Sequence, residues 1–485
     1  MPMARLRKKV KAIAFLVLAV VATVFAVRAF DSLRGPDLEP WHTFVPDELS
    51  VSEMDATDWA GYLAAEDRIF GAVRDNVTRE LPKKDRVPYD RYFEGAPIYP
   101  GGFAQDFNRS FILQPEGPVR GAVVLLHGLT DAPYSLRHIA ELYRAHGFVA
   151  VSIRMPGHGT VPAGLTDATW EDWMAATRLA VREASRRAGP DVPLHVVGYS
   201  NGGALAVKYA LDGLDDKSLS KVDRIVLLSP MIGVTRFARF SGLAGWPAVF
   251  PPFVKAAWLS ILPEYNPFKY NSFPVNAATQ THRLTRALQA GIKAAVRQGR
   301  IGALPPILTF QSAVDFTVSS RAVVTALYDQ LADNGSELVL FDINRAATVG
   351  ILLRHSADVA VERLLTPAPR KYRTSVIGNA GLGDPAAVAR VVAPGSAAET
   401  VRPLGIDYPR DVFSMSHIAL PFPPFDGLYG SAPDPEDDFG VALGDIAARG
   451  ETGVLIVGLD TLLRNSSNPF YAYVAERIEE GIVPR

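Results

Sequence analysis

Ser200 stands in "HVVGYSNGGALAVKYAL" (residues 195–211), between a short apolar run and a helix-like pattern, with Gly198, Gly202 and Gly203 around it. Glycines there remove the side chains that would block a sharp backbone turn. In a G-x-S-x-G strand-to-helix turn the serine oxygen is lifted clear of the sheet and aimed at a substrate. A serine hydroxyl is a weak nucleophile until a base takes its proton, and the base needs an acid to orient it. "PILTFQSAVDFTV" places Asp315 just past a strand pattern, before a helix that Ser319 is expected to cap, which leaves the aspartate for other work. "DVFSMSHIALPF" places His417 after a short apolar stretch and before a proline-rich turn. The chain order Ser200, Asp315, His417 is the one expected when the nucleophile sits on such an elbow. The competing base is His355 in "LLRHSADVAVERLL", nearer the preceding strand but set in a helical pattern with Ser356 as its cap. His417 is the expected base. His158 and His195 sit in other turns and read as structural, and His42, His138, His146 and His282 have no supporting context.

Acyl transfer also requires donors aimed at the oxygen that turns negative in the tetrahedral intermediate. "VVLLHGLTD" ends a strand pattern in His127–Gly128, where the backbone can bend and present amides. The expected donors are the backbone N–H groups of Leu129 and of Asn201, the residue after the nucleophile. Asp131 is expected to cap the helix that begins near Tyr134. Nothing in this chemistry calls for a metal or an organic cofactor.

These residues need a scaffold. From residue 110 the chain alternates short Val-, Ile- and Leu-rich runs with amphipathic stretches: "SFILQP", "GAVVLLHG", "FVAVSIRM", "LHVVGYS", "RIVLLSP", "PILTFQS" and "ELVLFD" read as strands. Helices are expected at Tyr134–His146, Trp170–Arg187, Asn201–Leu211 and Ser319–Asn334. Near-continuous apolar strands separated by helices imply an α/β fold, a mostly parallel sheet with helices on both faces. Two stretches interrupt the alternation. Residues 231–303 carry Phe237, Phe240, Trp246, Phe250, Phe253, Trp258, Tyr265, Phe268, Tyr270 and Phe273 and read as a cap over the site, with Phe250, Phe253 and Trp258 expected in an acyl pocket. Residues 343–410 read as a second insertion. Its "SVIGNAGLGDPAAVAR" has glycines in the order G-x-x-G-x-G, not the dinucleotide-binding G-x-G-x-x-G, and the expected feature is a helix start at Asp384–Pro385.

The composition narrows the rest. With 485 residues and 48% hydrophobic content the chain can bury one large domain with insertions. Fifty basic against 51 acidic residues leave no electrostatic footprint for nucleic acid. There is no cysteine, so disulfides, thiolate metal sites and a cysteine nucleophile are excluded. Arg5, Arg7, Lys8, Lys9 and Lys11 precede an uncharged run from Ala12 to Val27, with no acidic residue before Asp31. That run exceeds a usual signal-peptide core, and with Val10, Ala29, Phe30 and a snorkelling Lys11 it reaches the length of a spanning helix. The expected organisation is a signal anchor at 1–30, a stem and wrapping segment at 31–105 and a body at 106–485 lying outside the cytoplasm. Cleavage after Ala29, giving a secreted or periplasmic protein, is the alternative. Oligomeric state leaves no mark in the sequence.

Together, "LLHGLTDAPYSLRHIAELYRAHGF", "SIRMPGHGTVPAG", "GYSNGG" and "SAVDFTV" resemble the α/β-hydrolase superfamily, and more narrowly its monoacylglycerol lipase and carboxylesterase-like branch. The resemblance covers residues 110–342 and the His417 loop. It implies a serine hydrolase acting on carboxylic, lipid-like esters through Ser200, His417 and Asp315, without a cofactor. Serine at the elbow argues against the epoxide hydrolase and dehalogenase branches, which use aspartate there. In relatives the histidine follows the last strand after a short connection, whereas here residues 343–410 intervene. The alternatives are an acyltransferase or peptidase on the same residues, and an inert binding module of the same fold.

Overall fold

In the computed structural model the described residues are 2–233, 246–249, 251–315, 317–347, 359–444 and 467–482. The seven expected strands form as β1 (Phe111–Leu113), β2 (Gly121–Leu126), β3 (Phe148–Ile153), β4 (Leu194–Tyr199), β5 (Arg224–Leu228), β8 (Ile307–Ser312) and β9 (Glu337–Phe341). A small antiparallel pair, β6 (Trp258–Ser260) with β7 (Phe273–Pro274), lies apart from them. Three further strands, β10 (Arg373–Asn379), β11 (Ala386–Val392) and β12 (Glu399–Asp407), complete a ten-stranded sheet of order β1-β3-β2-β4-β5-β8-β9-β10-β11-β12. From β3 to β10 every neighbouring pair is parallel, and the antiparallel strands lie at the two edges.

The central strands are apolar throughout because both faces are covered, yet the period of two survives in where the side chains go. Val124, Leu126, Val196 and Leu227 join one core layer with the helices Trp170–Ala188, Asn201–Asp215 and Val275–Arg297. Val123, Leu125, Val197 and Val226 join the opposite layer with Arg137–Ala145 and Tyr471–Glu479. The helix at 170 starts on a reciprocal cap: the Thr169 hydroxyl accepts from the Asp172 amide, and the Asp172 carboxylate accepts from the Thr169 amide. The expected helix over 319–334 breaks into a single turn Ser320–Ala322, a wide turn Val323–Leu327 and a tight turn Tyr328–Gln330.

Both interruptions differ from their reading in sequence. The helix Val275–Arg297 buries Leu284, Leu288 and Ile292 in the sheet's own core. It is the crossover that two parallel strands, β5 and β8, require. Among the described residues, the small pair β6–β7 forms a separate sheet. Residues 343–410 are not an excursion from the sheet but its far edge, with β10, β11 and β12 as successive neighbours. The glycine-rich segment is the turn of the β10–β11 hairpin, and Pro385 leads into β11, not a helix. These edge strands are as long as the central ones but less apolar, and β12, with one face open, is mostly exposed, so they carry little of the apolar run that marks the centre.

The stem is bound to the body. Asp58 caps the helix Trp59–Val73, and Glu48 and Glu66 both reach Arg154, which is fully buried. Arg154 gives Glu48 two parallel bonds of 2.7 and 2.9 Å, and its Nε meets Glu66 at 3.1 Å. The N-terminal helix Pro2–Arg34 is long and apolar, and its segment Lys8–Arg34 is exposed along its hydrophobic stretch.

Candidate active site

At the elbow β4 runs into Ser200, which holds φ +52°, ψ −113° before the helix Asn201–Asp215 begins. The glycines are a matter of space: a Cβ at Gly198 would meet the Gly202 carbonyl at 2.5 Å, and one at Gly202 would meet the Leu126 carbonyl at 1.9 Å. The strained turn is held by the Ser200 amide donating to Leu228 O and by the Met231 amide donating to Ser200 O.

The three residues separated by 217 positions meet here. His417 Nε2 lies 3.0 Å from Ser200 Oγ, and His417 Nδ1 lies 3.0 Å from Asp315 Oδ2. Burial pushes the Asp315 carboxyl up, but the charge and hydrogen bond of His417, with the amides of Val318 and Thr317, outweigh it and hold the group below its usual value. Gln311 Nε2 donates to the same Oδ2 at 3.0 Å. Ser319 Oγ caps the following turn through the Ala322 amide, as expected, so Asp315 faces the histidine.

How His417 arrives after the β10–β12 meander was not legible in sequence. The chain returns from β12 to the end of β9, where the Tyr408 hydroxyl donates to Asp342 O. The fully buried Asn344 donates to the carbonyls of Pro409 and Val412 through Nδ2 and to Phe413 O through its amide. These bonds set residue 413 beside residue 344, so the loop leaves from the strand end a short connection would have used. Tyr199 OH donates to His417 O at 3.3 Å. His355 lies outside the described residues.

Ser200, His417 and Leu129 line one cavity of about 370 Å³, with Met231, Phe273 and Ile418 among its apolar walls. Among the described residues neither the Leu129 nor the Asn201 amide donates to a protein acceptor. The turn that carries Leu129 is braced from two sides. His127 is neutral, its Nδ1 bonded to Gly128 O and its Nε2 accepting from the Met155 amide; burial drives it down to about 3. Thr130 sits at φ +61°, and its carbonyl accepts from the Tyr270 amide at 2.7 Å. Tyr270 OH in turn donates to Gly157 O and accepts from the Thr160 amide. Asp131 does not take the expected cap: Ala132 occupies that position, and Asp131 is buried.

Three of the insertion's described aromatics pack elsewhere. Phe253 packs edge-on against Phe25 of the N-terminal helix, Trp258 against His42, and Phe268 stacks on Tyr134 at 4.2 Å. Phe253 and Trp258, expected in the acyl pocket, do not line the cavity; Phe273, which the sequence did not single out for it, does. Phe237, Phe240 and Phe250 lie outside the described residues.

Residues 117–343 match the family described as "Serine aminopeptidase, S33". That match covers just under half of the chain, whose mostly parallel sheet is that of the α/β-hydrolase fold. A stretch of 94 residues is 34% identical to a thermostable monoacylglycerol lipase of Bacillus sp. (strain H-257), covering 19% of this chain and 36% of that protein. The chain thus spans about a third of that relative's length. Among solved structures, one from the metagenome-derived lipolytic enzymes LipS and LipT is 21% identical, covers 53% of this chain and 95% of its own, and has a TM-score of 0.40. A soluble variant of monoglyceride lipase from Saccharomyces cerevisiae is 16% identical over 48% of this chain and 81% of its own, with a TM-score of 0.36.

One polar cluster flanks the loop that carries His417. Asp426, fully buried, accepts from Tyr134 OH, Arg137 Nη2, His138 Nε2 and the amides of Leu428 and Tyr429. His138, Asp426 and Asp437 place ligand atoms within 4.8 Å of one another, but the Arg137 guanidinium already bonds both carboxylates and supplies the positive charge. Burial raises the Asp426 carboxyl, and the His138 bond with the Arg137 charge overcomes this to hold it down at about 2. A depressed carboxyl contributes stability above its unfolded value near 4, which is lost as the pH falls towards 2. That contribution is roughly 2 kcal/mol. Chemical unfolding of the parent and of Asp426→Asn should therefore give a stability difference that shrinks by this amount between pH 5 and pH 2; a constant difference would refute it.

Proposed function

We propose that the protein is a membrane-anchored serine hydrolase that cleaves carboxylic esters through an acyl-enzyme. The observation that carries this reading is the continuous relay from Asp315 through His417 to Ser200 at a strained elbow beside a cavity. Ser200 Oγ attacks the ester carbonyl while His417 Nε2 takes its proton. Asp315 holds the imidazole by Nδ1 and stabilises the imidazolium that forms. The amides of Leu129 and Asn201 receive the oxyanion. His417 then returns the proton to the leaving alcohol, and water attacks the acyl-Ser200 carbonyl with His417 again as base. Each step is served by protein groups.

Phe273, Leu129, Met231 and Ile418 give the cavity an apolar side suited to an acyl chain. Each methylene that leaves water contributes about 0.8 kcal/mol. On 4-nitrophenyl esters kcat/KM is expected to rise at least about tenfold from acetate to hexanoate, and Phe273→Ala to flatten the rise. A flat profile in the parent would remove the acyl pocket while leaving the relay untouched. The matched family's description favours a second reading, a serine aminopeptidase. Turnover of aminoacyl 4-nitroanilides well above that of the esters would select it.

In this reading residues 1–30 anchor the protein, 31–105 form the wrapping stem and 106–485 the catalytic body outside the cytoplasm. The supporting features are the basic residues before the apolar run and the length of that run. The protein is expected to stay in the membrane fraction after a high-salt wash, with its body protected from protease on the cytoplasmic side. A soluble product beginning near Asp31 would show cleavage instead.

A further inference from the structure

The cavity beside Ser200 is not apolar all round. Lys269 lines it, half-buried, and among the described residues no carboxylate comes within ion-pair distance of its ammonium. Its backbone is fixed from both sides, by Phe268 stacked on Tyr134 and by the Tyr270 amide bonded to Thr130 O. Its charge is felt by the two buried groups that bracket the oxyanion turn: it opposes the burial that raises Asp131, and it adds to the lowering of His127. Thr281, on the helix Val275–Arg297, lines the same cavity with 3% of its surface exposed, and its hydroxyl has no hydrogen-bond partner among the described residues.

A half-buried cation beside Leu129, Met231 and Phe273 gives up part of its hydration, a cost that an anion meeting it would offset. A buried hydroxyl without a partner adds to that cost. Asp131 balances the charge only from beyond contact distance. A substrate group bearing negative oxygen would satisfy the ammonium and the hydroxyl at once, through charge-assisted bonds.

We propose, on the reading of this site as an ester hydrolase, that Lys269 is a specificity-determining residue that recognises an anionic oxygen group, carboxylate or phosphate, carried by the substrate, with the Thr281 hydroxyl as a second donor. The preferred substrate is then an ester with a charged group within one cavity's length of the scissile carbonyl. The ester carbonyl itself remains with Ser200 and the oxyanion amides.

The test is a ratio, which is insensitive to a general loss of activity. One arm compares the 4-nitrophenyl monoester of adipate with 4-nitrophenyl hexanoate and places the anion on the acyl side. The other compares a monoacylglycerol phosphate with the monoacylglycerol of the same chain and places it on the alcohol side. For the parent, Lys269→Met, Lys269→Arg and Thr281→Val, the anionic-to-neutral ratio of kcat/KM is measured in both arms. Lys269→Met is expected to lower the ratio about tenfold in one arm, Thr281→Val to lower it less, and Lys269→Arg to retain it. The arm that responds identifies the side of the ester that carries the charge. A ratio that falls by less than about threefold for Lys269→Met in both arms overturns the proposal. Failure of the hydrolase reading is seen separately, as neutral-ester turnover that survives Ser200→Ala.

Discussion

Ser200→Ala is expected to abolish both ester turnover and covalent labelling by a fluorophosphonate, while the protein folds as before. The substitution deletes the atom on which the relay converges, Oγ at 3.0 Å from His417 Nε2. It leaves the elbow's supports in place, because these are backbone bonds: the Ser200 amide to Leu228 O, and the Gly203 and Met231 amides to Ser200 O. Alanine bears the positive φ at a cost similar to serine's, since both carry a Cβ. Stability should therefore shift by less than about 1 kcal/mol, whereas turnover should fall by a factor on the order of a million, the loss seen when a member of such a unit is removed. Circular dichroism and thermal unfolding establish the first part, and burst kinetics with labelling the second. Undiminished labelling would place the nucleophile elsewhere in the chain.

The reason so much of this site can be read from sequence is that its chemistry sits at the ends of strands. β2, β4 and β8 are strongly apolar, so their ends at Leu126, Tyr199 and Ser312 are legible, and Leu129, Ser200 and Asp315 follow within three residues. Parallel neighbours end on the same edge, which brings these residues together without further information. His417 is different. It follows a meander of three edge strands, and what returns it is Asn344, a residue whose buried amide bonds carbonyls more than sixty positions away. Tyr270 is comparable: nothing local marks one tyrosine in an aromatic-rich insertion as the brace of a strained turn. Composition also misled in one respect, because aromatic residues signal burial without saying against what. Phe253 and Trp258 are spent on the N-terminal helix and the stem, and Phe273, immediately before the Pro274 cap of the crossover helix, lines the cavity beside Ser200.

His417→Ala is expected to lower turnover by about four to six orders of magnitude, and His355→Ala to change it little. The argument rests on what each ring nitrogen of His417 does. Nε2 is the one base within hydrogen-bond reach of Ser200 Oγ among the described residues, and Nδ1 is held by a carboxylate that two backbone amides and Gln311 fix in place. Without the imidazole the serine must lose its proton to water, and the leaving alcohol has no acid to protonate it, so both halves of the reaction suffer together. The loss should fall in kcat more than in KM, because the bond from serine to base strengthens in the transition state and contributes little to holding the ester. Because the three residues act as a unit, the double variant Ser200→Ala/His417→Ala should be scarcely slower than either single one, whereas two independent contributions would multiply. A large loss on His355→Ala with His417→Ala near the parent rate would transfer the base to His355 and leave the elbow as it stands. Multiplying losses in the double variant would instead mean that His417 assists the reaction without taking the serine's proton.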